Sequence, residues 1–291
     1  MRPLPPGIEL RSAGPGDADA VCALLHDQMS GRISRERWRR LFDYPWLADK
    51  PDCGVVVLER GRVAGYLGLV YADRRLRGRT FRTGNLSSWY IVRSLRGQGL
   101  GLAMLRHATR AAGVTYTTFS SNPPALRLMA EVGLVPLDES RFLWRRTVEP
   151  TTASEVLSGF AALSSVVRYD ERQILADHRN LPVEPHLLRS ADGDCLVLLA
   201  VKRKGAEVAY HEVLHLGRPD VLARHAQAFA NQVLAPGDSV LAIDQRFLDG
   251  CEVSAEIEPI SVPRYFRSPD LARREVDFLY SEIPLLDLKL Y

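Results

Sequence analysis

The stretch Arg96-Gly97-Gln98-Gly99-Leu100-Gly101 decides the fold, because it places three glycines in six residues between two regular segments. The segment before it, about Phe81 to Val92, predicts a long strand, and the segment from Leu102 to Ala112 has apolar residues at helical spacing. A strand, a glycine turn and a helix N-terminus in succession present free backbone N–H groups, and the helix dipole favours negative charge there. The turn therefore predicts an anion site suited to a phosphate-bearing ligand.

Two common phosphate-binding motifs do not fit this turn. A dinucleotide fingerprint requires a third glycine where the chain has Leu102, and it requires an acidic residue about 20 positions later that is missing here. A P-loop requires a lysine followed by Ser or Thr, and this region contains no lysine. Both motifs are therefore excluded.

The segments around the turn predict an α/β fold. Apolar, β-branched runs indicate strands and helical spacing indicates helices. We expect strands at 8–11, 54–59, 63–71, 114–119, 134–137 and 142–147, and helices after Pro15-Gly16-Asp17, over 34–42 and over 125–132.

A domain boundary is expected at residues 149–152, where the charge changes sign. Residues 1–150 hold 23 Lys and Arg against 14 Asp and Glu, a net of +9, whereas residues 151–291 hold 15 against 21, a net of −6. Helices are expected over 154–165, 170–180 and 219–234, a hairpin over 195–201 and 206–216, and a strand over 240–244. This hairpin imitates the one at 53–71, so 151–291 is interpreted as a diverged internal repeat. The alternative is that any α/β chain contains such hairpins.

Residues 96–101 match the signature (Gln/Arg)-x-x-Gly-x-(Gly/Ala) of the GNAT (Gcn5-related N-acetyltransferase) family. Ile91 lies where that family has the valine that ends its fourth strand. Further resemblance to a later family motif comes from Asn122, Ala125, Leu128, Gly133 and Leu134. The element order over residues 8–147 also resembles the GNAT fold, which implies a mixed, mostly antiparallel sheet flanked by helices. The second half resembles the degenerate half of tandem GNAT proteins.

The resemblance implies acetyl-CoA or another acyl-CoA as co-substrate. The backbone N–H groups of Gly97 to Leu102 would cradle the pyrophosphate, and Gly99 and Gly101 would allow its close approach. The backbone of Trp89, Tyr90 and Ile91 would pair with pantetheine and polarise the thioester carbonyl, while Asn122 would face the cofactor from the other side. The expected cofactor-binding residues are Trp89, Tyr90, Ile91, Arg96, Gly97, Gln98, Gly99, Leu100, Gly101, Leu102 and Asn122.

The family's usual proton-handling positions are vacant, since they hold Ser87, Thr117 and Met129. A base is nevertheless needed, because acyl transfer requires a neutral amine. Three explanations stay open: a water held by Asn85, Ser87 or Ser88, a carboxylate or histidine from elsewhere (Glu36, Asp43, Asp49, His26 or the second half), or binding without transfer. Ser87 and Asn85 are the candidate proton-handling residues. Tyr116 is the candidate acid for the leaving thiolate, and Ser120 and Ser121 are further candidates for that role.

The resulting function is acyl transfer from acyl-CoA to an amine of a small polar acceptor, with an amino sugar as the acceptor hypothesis. The alternative is a non-catalytic acyl-CoA-binding module. The aromatic segment Trp38 to Trp46 is interpreted either as a wall of the acceptor site or as part of the core.

Composition limits the class of protein. The chain is 46% hydrophobic and 25% charged, which is typical of a globular protein. Neither a membrane-spanning run nor a signal peptide is evident, and the four cysteines are widely spaced, so we expect a cytoplasmic protein without a metal site. His211 and His215 are expected on a strand.

The segment between Asp73 and Glu131 contains arginines but no carboxylates, and such a segment would attract a polyanion. The acidic second half argues against nucleic acid as the partner, and a monomer or homodimer is expected.

Overall fold

The computed structural model describes residues 4–120, 123–148, 153–205 and 207–290. It confirms an α/β fold. The strands are β1 (Ile8–Ser12), β2 (Gly54–Glu59), β3 (Arg62–Leu76), β4 (Arg79–Ile91), β5 (Val114–Thr118), β6 (Val135–Trp144), β7 (Ser154–Ser158), β8 (Glu184–Ser190), β9 (Gly193–Lys204), β10 (Val208–Leu216), β11 (Ser239–Asp244) and β12 (Glu256–Arg267). The α-helices are α1 (Ala18–Leu24), α2 (Arg35–Arg39), α3 (Leu100–Ala108), α4 (Pro123–Ala130), α5 (Phe160–Leu163), α6 (Tyr169–His178), α7 (Pro219–Val233) and α8 (Glu282–Leu286).

The chain divides into two compact units. Unit 1 comprises Met1–Leu137, Val262–Leu271 and Tyr280–Leu288, and unit 2 comprises Asp138–Ser261, Ala272–Leu279 and Lys289–Tyr291. The change from unit 1 to unit 2 lies between Leu137 and Asp138, and two C-terminal segments belong to unit 1. The boundary expected at residues 149–152 lies outside the described residues. No local sequence pattern indicates that these two C-terminal segments belong to unit 1, because only long-range contacts place them there.

The sheet of unit 1 is mostly antiparallel. Strands β1, β2, β3 and β4 pair antiparallel in chain order, and β4 then pairs with β5 in parallel. Residues 265–267 of β12 pair antiparallel with the other side of β5. Helix α3 packs on this sheet through Leu100, Met104 and Leu105, which belong to a buried apolar cluster with Leu69 and Leu86. Burial of this apolar surface is the main contribution to the stability of the unit.

Unit 2 repeats the same order of strand pairings. Strands β7, β8, β9 and β10 pair antiparallel in chain order, and β10 pairs with β11 in parallel. Helix α7 connects the parallel strands, as α3 does in unit 1. Residues 141–144 of β6 pair antiparallel with β11, which corresponds to the place of β12 beside β5. The two units thus share a topology although their sequences differ.

Most expected elements are present, and two expectations are wrong. The expected helix over 154–165 is instead strand β7 followed by the short helix α5, because residues 154–158 pair with β8. The separate strands expected at 134–137 and 142–147 are one strand, β6. In both places tertiary pairing overrides local propensity.

The described residues include no helix with the length and apolar character that a membrane span needs. In the same part of the chain, no three His, Cys, Asp or Glu side chains lie close enough to hold a metal ion. All four cysteines are free thiols, and His211 and His215 lie on β10 as expected.

Unit 2 contains a buried ion cluster centred on Arg246. Its guanidinium contacts the carboxylates of Asp138 and Asp244, and its Nε donates to the carbonyl oxygen of Val276 at 2.8 Å. Burial raises the pKa of Asp138. Removing only the cation would leave two buried carboxylates without their counter-charge.

Arg246→Met is expected to lower the free energy of unfolding by about 3–5 kcal/mol, because breaking one side of a buried ion pair leaves uncompensated charge. Urea denaturation at pH 7 measures this difference. Arg224→Met is the matched control, since Arg224 forms exposed ion pairs with Asp192 and Asp220, and it is expected to change stability by less than about 1 kcal/mol. Equal losses in the two variants would contradict the expectation.

Candidate functional site

The glycine turn connects β4 to α3. Gly97 and Gly99 have φ values of +78° and +82°, a left-handed conformation that glycine adopts at no steric cost. A Cβ added at either position would meet nothing within 4 Å, so conformational freedom explains both glycines and the space before the turn is open. The first turn of α3 contains no acidic residue. Its free N–H groups therefore face an open, positively polarised site.

Gly101 has a different reason to be glycine. A Cβ at this position would lie 3.2 Å from Cζ2 of Trp89. Its absence lets the start of α3 pack against the indole ring, a close approach that few real side chains make. This packing by itself favours glycine at position 101, and the expected role of Gly101 in the approach of phosphate stays a prediction.

Two long side chains hold the turn in place. Nε of Arg96 donates to the carbonyl oxygen of Ile91 at 2.9 Å, and the guanidinium lies 5.3 Å from the ring centroid of Tyr90. Nε2 of Gln98 donates to the carbonyl oxygen of Ser94 at 3.1 Å. These bonds tie both side chains to the backbone that precedes the turn and so fix its conformation.

Strand β4 contains a β-bulge close to the turn. Gly68 and Tyr66 on β3 pair with Ser87 and Tyr90 on β4, so β4 uses one more residue than its partner over this step. Ser88 has a φ of +51°, which is uncommon for a residue with a side chain. Bulges of this kind redirect backbone groups and are frequent beside functional sites.

The two parallel strands separate at the bulge. The ladder between β4 and β5 runs from Arg82–Val114 to Asn85–Thr117 and ends there. Beyond Asn85, the edge of β4 that would face β5 is therefore not paired in this ladder. A ligand lying between the strands can use these backbone groups as a further strand would.

The separated strands and the glycine turn open into one cavity of ≈ 770 Å³ in unit 1. This volume suits a large cofactor or ligand. The cavity brings together nine expected cofactor residues, namely Trp89, Tyr90, Ile91, Arg96, Gly97, Gly99, Leu100, Gly101 and Leu102. Gln98 is outside its lining, and Asn122 lies outside the described residues.

The candidate proton-handling residues Ser87 and Asn85 have different surroundings. Ser87 lines the cavity, and its Oγ donates to Oγ of Ser88, also in the lining, at 3.1 Å. Asn85 is buried outside the lining: its Nδ2 donates to Oγ1 of Thr117 at 3.1 Å, and its Oδ1 accepts the backbone N–H of Glu282 at 3.2 Å. Asn85 therefore anchors a C-terminal segment instead of reaching a ligand.

The structure does not bring Tyr116 to the cavity, which corrects its assignment as the acid for the thiolate. Its side chain is fully buried in the apolar cluster between the sheet and α3, and the Arg267 guanidinium lies 5.1 Å from its ring centroid. Burial raises the pKa of Tyr116. Met129, where the family has a tyrosine, does line the cavity but offers only a thioether.

The aromatic segment belongs to the core and not to the cavity lining. Trp38, Phe42 and Tyr44 are buried, and Phe42 stacks on Tyr66 with ring centroids 5.6 Å apart. The acidic and histidine candidates of the first half (Glu36, Asp43, Asp49 and His26) are also outside the lining. In place of these groups, Gln28 and Met29 reach the cavity from the π-helical turn Leu25–Met29, a feature that is frequent at functional sites.

Sequence reasoning allowed for a carboxylate from the second half of the chain but did not single out Glu282. It begins α8, its side chain is 0% exposed, and its Oε1 accepts a hydrogen bond from Oγ of Ser120 at 2.9 Å. Ser120 lines the cavity. Burial raises the pKa of Glu282 to about 8, and the bond from Ser120 opposes this rise. No sequence pattern indicates this pair, because 162 positions separate the two residues.

Comparison with known proteins supports this description of unit 1. Residues 18–134 match the model of the acetyltransferase (GNAT) family. A GCN5-related N-acetyltransferase from Anabaena variabilis superposes with a TM-score of 0.58 at 10% identity, over 91% of this chain and 74% of its own. One from Kribbella flavida superposes with a TM-score of 0.58 at 13% identity, over 90% and 71%. At such identities the likeness shows a common fold. A search of curated proteins found no significant match.

Proposed function

We propose that unit 1, whose residues 18–134 match the acetyltransferase (GNAT) family model, transfers an acetyl or other acyl group from acyl-CoA to an amine of a small polar acceptor. The observation that carries the proposal is the shared cavity. The glycine turn, the N-terminus of α3 and the bulged part of β4 all open into it. The end of the cavity at the glycine turn thus offers an anion site. The end at the bulge of β4 offers unpaired backbone groups beside hydroxyl groups.

The cofactor would lie along β4 with its pyrophosphate at the turn. The backbone N–H groups of Gly97 to Leu102 hold the phosphates, since the first turn of α3 is open and free of carboxylates. The backbone of Trp89 to Ile91 pairs with pantetheine, and one N–H there polarises the thioester carbonyl. A preorganised donor of this kind stabilises a tetrahedral intermediate by about 3–4 kcal/mol. Asn122 is proposed to face the cofactor from the α4 side.

The transfer is proposed to be direct. The sequence between Ser87 and Asn122 contains no cysteine, so no thioester acyl-enzyme forms in this segment. The hydroxyls of Ser87, Ser88 and Ser120 line the cavity together with the amide of Gln28. These uncharged hydrogen-bonding groups favour a hydroxyl-rich amine, which supports an amino sugar as the acceptor.

Unit 2 is proposed to be a degenerate GNAT-like half without a cofactor. It has the strand order of unit 1, but the place of the glycine turn is taken by Gly217 and Arg218 before α7. A Cβ at Gly217 would lie 2.6 Å from Oε1 of Glu171, so a carboxylate occupies the space before this turn. Asp220 adds a second carboxylate in the first turn of α7. Both carboxylates are paired with arginines, Glu171 with Arg168 and Asp220 with Arg218. The proposal therefore rests on the space that the Glu171 side chain fills beside Gly217.

A thiol-release assay tests the proposal with acetyl-CoA and a panel of amino sugars, sugar nucleotides, amino acids and polyamines. Release is expected with an amino sugar. Ser87→Ala is expected to lower kcat about 5-fold, the effect of one hydrogen bond of about 1 kcal/mol, while the Kd for acetyl-CoA stays unchanged. Ser12→Ala, outside the cavity, is the control. Release only with polyamines would contradict the sugar hypothesis.

Binding of acetyl-CoA without release for any acceptor would instead favour the alternative function, an acyl-CoA-binding module without turnover. The vacant proton positions at Thr117 and Met129 are the observation in its favour. The absence of both binding and release would contradict the two functions together.

A further inference from the structure

We propose that Ser120 and Glu282 form the proton relay of the cavity: Ser120 accepts the proton of the acceptor amine and passes its own hydroxyl proton to Glu282. This inference rests on the proposed acyl transfer and assigns the base that the sequence motif lacks. Ser120 is the member that touches the acceptor, and Glu282 is the proton acceptor behind it.

A hydrogen bond joins the side chains of Ser120 and Glu282. Ser120 follows the end of β5, where β4 and β5 have separated, and it is exposed to the cavity. Its Oγ donates to Oε1 of Glu282 at 2.9 Å. This donation leaves the lone pairs of the hydroxyl oxygen facing away from the carboxylate, so they can accept a proton from a ligand in the cavity.

The carboxyl group of this pair lies away from solvent. Glu282 is fully buried, and its Oε2 has no hydrogen-bond partner among the described residues. Leaving a carboxyl oxygen buried without a hydrogen-bond partner costs stability. The packing of the fold does not require a carboxyl group at this position. A buried carboxyl joined to the cavity through one hydroxyl is, however, suited to taking up a proton.

Hydrogen bonds to the backbone fix the segment that carries this carboxylate. The backbone N–H of Glu282 donates to Oδ1 of Asn85 on β4 at 3.2 Å. Oγ of Ser281 accepts the N–H of Ile283 at 3.1 Å and caps α8. Asn85, expected from sequence to hold a water at the reaction site, thus acts as a positioning residue for Glu282.

The charged groups around the segment contact its other residues. Arg40 donates to the carbonyl oxygen of Leu285 at 3.3 Å, Arg37 lies 4.0 Å from Asp287, and the Arg74 guanidinium lies 5.0 Å from the ring centroid of Tyr280. The pKa of Glu282 is raised to about 8 by burial, and hydrogen bonds from Ser120 and the backbone N–H lower it in part. A base in this range is matched to an amine near neutral pH.

Bond formation, bond cleavage and proton transfer balance in this relay. The amine nitrogen attacks the thioester carbon, and a C–N bond forms as the carbonyl becomes an oxyanion. The nitrogen proton moves to Oγ of Ser120 while the hydroxyl proton of Ser120 moves to Oε1 of Glu282. The C–S bond then breaks, and the CoA thiolate takes a proton from water. Loss of the proton from Glu282 to solvent restores the starting state.

The test compares Glu282→Gln, Ser120→Ala and the control Glu59→Gln in the thiol-release assay with the best acceptor, and with hydroxylamine as a small nucleophile. Gln retains the shape and the acceptor oxygen for Ser120. We expect kcat to fall about 100-fold in Glu282→Gln and in Ser120→Ala, within the range for general-base catalysis, with an unchanged Kd for acetyl-CoA. Glu59 is exposed on β2, and its variant is expected to keep wild-type kcat.

The pH profile separates a proton acceptor from a structural residue. Wild-type kcat is expected to rise with pH to a plateau above about pH 8, whereas both relay variants should lose this rise. Glu282→Asp, which keeps the carboxyl, should recover part of the rate and the pH dependence. A kcat within 2-fold of wild type and an unchanged profile in Glu282→Gln would overturn the relay alone. A wild-type protein that binds acetyl-CoA but releases no thiol, even with hydroxylamine, would overturn the proposed transfer and the relay with it.

Discussion

Gly99→Asp is expected to weaken the binding of acetyl-CoA by about 100-fold or more. Gly99 is the N-cap of α3, and the space that its side chain would enter is open. In the proposed complex that space would hold the pyrophosphate, so the new carboxylate would add both bulk and like charge. A loss of about 3 kcal/mol corresponds to about 100-fold in Kd. Calorimetric titration of both proteins with acetyl-CoA measures the difference.

Gly78→Asp is the matched control for this variant. Gly78 lies in the turn between β3 and β4, has a φ of +72°, and a Cβ there would also meet nothing within 4 Å. The backbone strain of the substitution is therefore similar, but the position is outside the cavity lining. Gly78→Asp should keep the wild-type Kd. A Gly99→Asp protein that binds acetyl-CoA within a few-fold of wild type would remove the glycine turn from the site.

Glu282→Gln is expected to stabilise the fold at pH 8 and to leave it nearly unchanged at pH 4. Burial raises the pKa of Glu282 from 4.5 to about 8. Between these values the folded state holds a proton that the unfolded state has lost, so the stability of the wild type falls as pH rises. The neutral glutamine has no such loss. The full difference is on the order of 5 kcal/mol, because a tenfold change in proton affinity corresponds to about 1.4 kcal/mol.

Denaturation in urea at pH values from 4 to 9 measures this difference. The gain of Glu282→Gln over wild type should grow from about pH 5 to about pH 8 and stay constant above that. Glu59→Gln, at an exposed position, should run parallel to wild type over the whole range. A constant difference between Glu282→Gln and wild type across this range would show that the Glu282 carboxyl titrates normally and is not desolvated.

The glycine turn, where we propose that the cofactor binds, could be predicted from sequence because its determinants are local. Residues 96–101 include the glycines with positive φ and the first residues of α3, all within six positions. The strand before them is also evident from its apolar pattern. Local sequence does not show the bulge at Ser88, however, since it is defined by the register against β3.

The pair Ser120 and Glu282, to which we assign the proton relay, could not be predicted because the two residues are distant in sequence. Glu282 reaches Ser120 only when the segment Tyr280–Leu288 joins unit 1. Its vicinity in the sequence, Tyr280-Ser281-Glu282, shows a helix cap but gives no sign of a carboxylate that would be buried. Tyr116 illustrates the opposite error, since its position on a strand near the motif suggested a role while its side chain faces the core.

The central claim is that the cavity of unit 1 binds one acyl-CoA and that unit 2 binds none. Calorimetric titration of the full chain with acetyl-CoA tests this claim most directly, because it gives affinity and stoichiometry together. We predict saturable binding of one acetyl-CoA per chain, as the open turn at Gly97 and Gly99 in unit 1 and the carboxylate of Glu171 before Gly217 in unit 2 require. No binding at millimolar acetyl-CoA, or two molecules bound per chain, would contradict the claim.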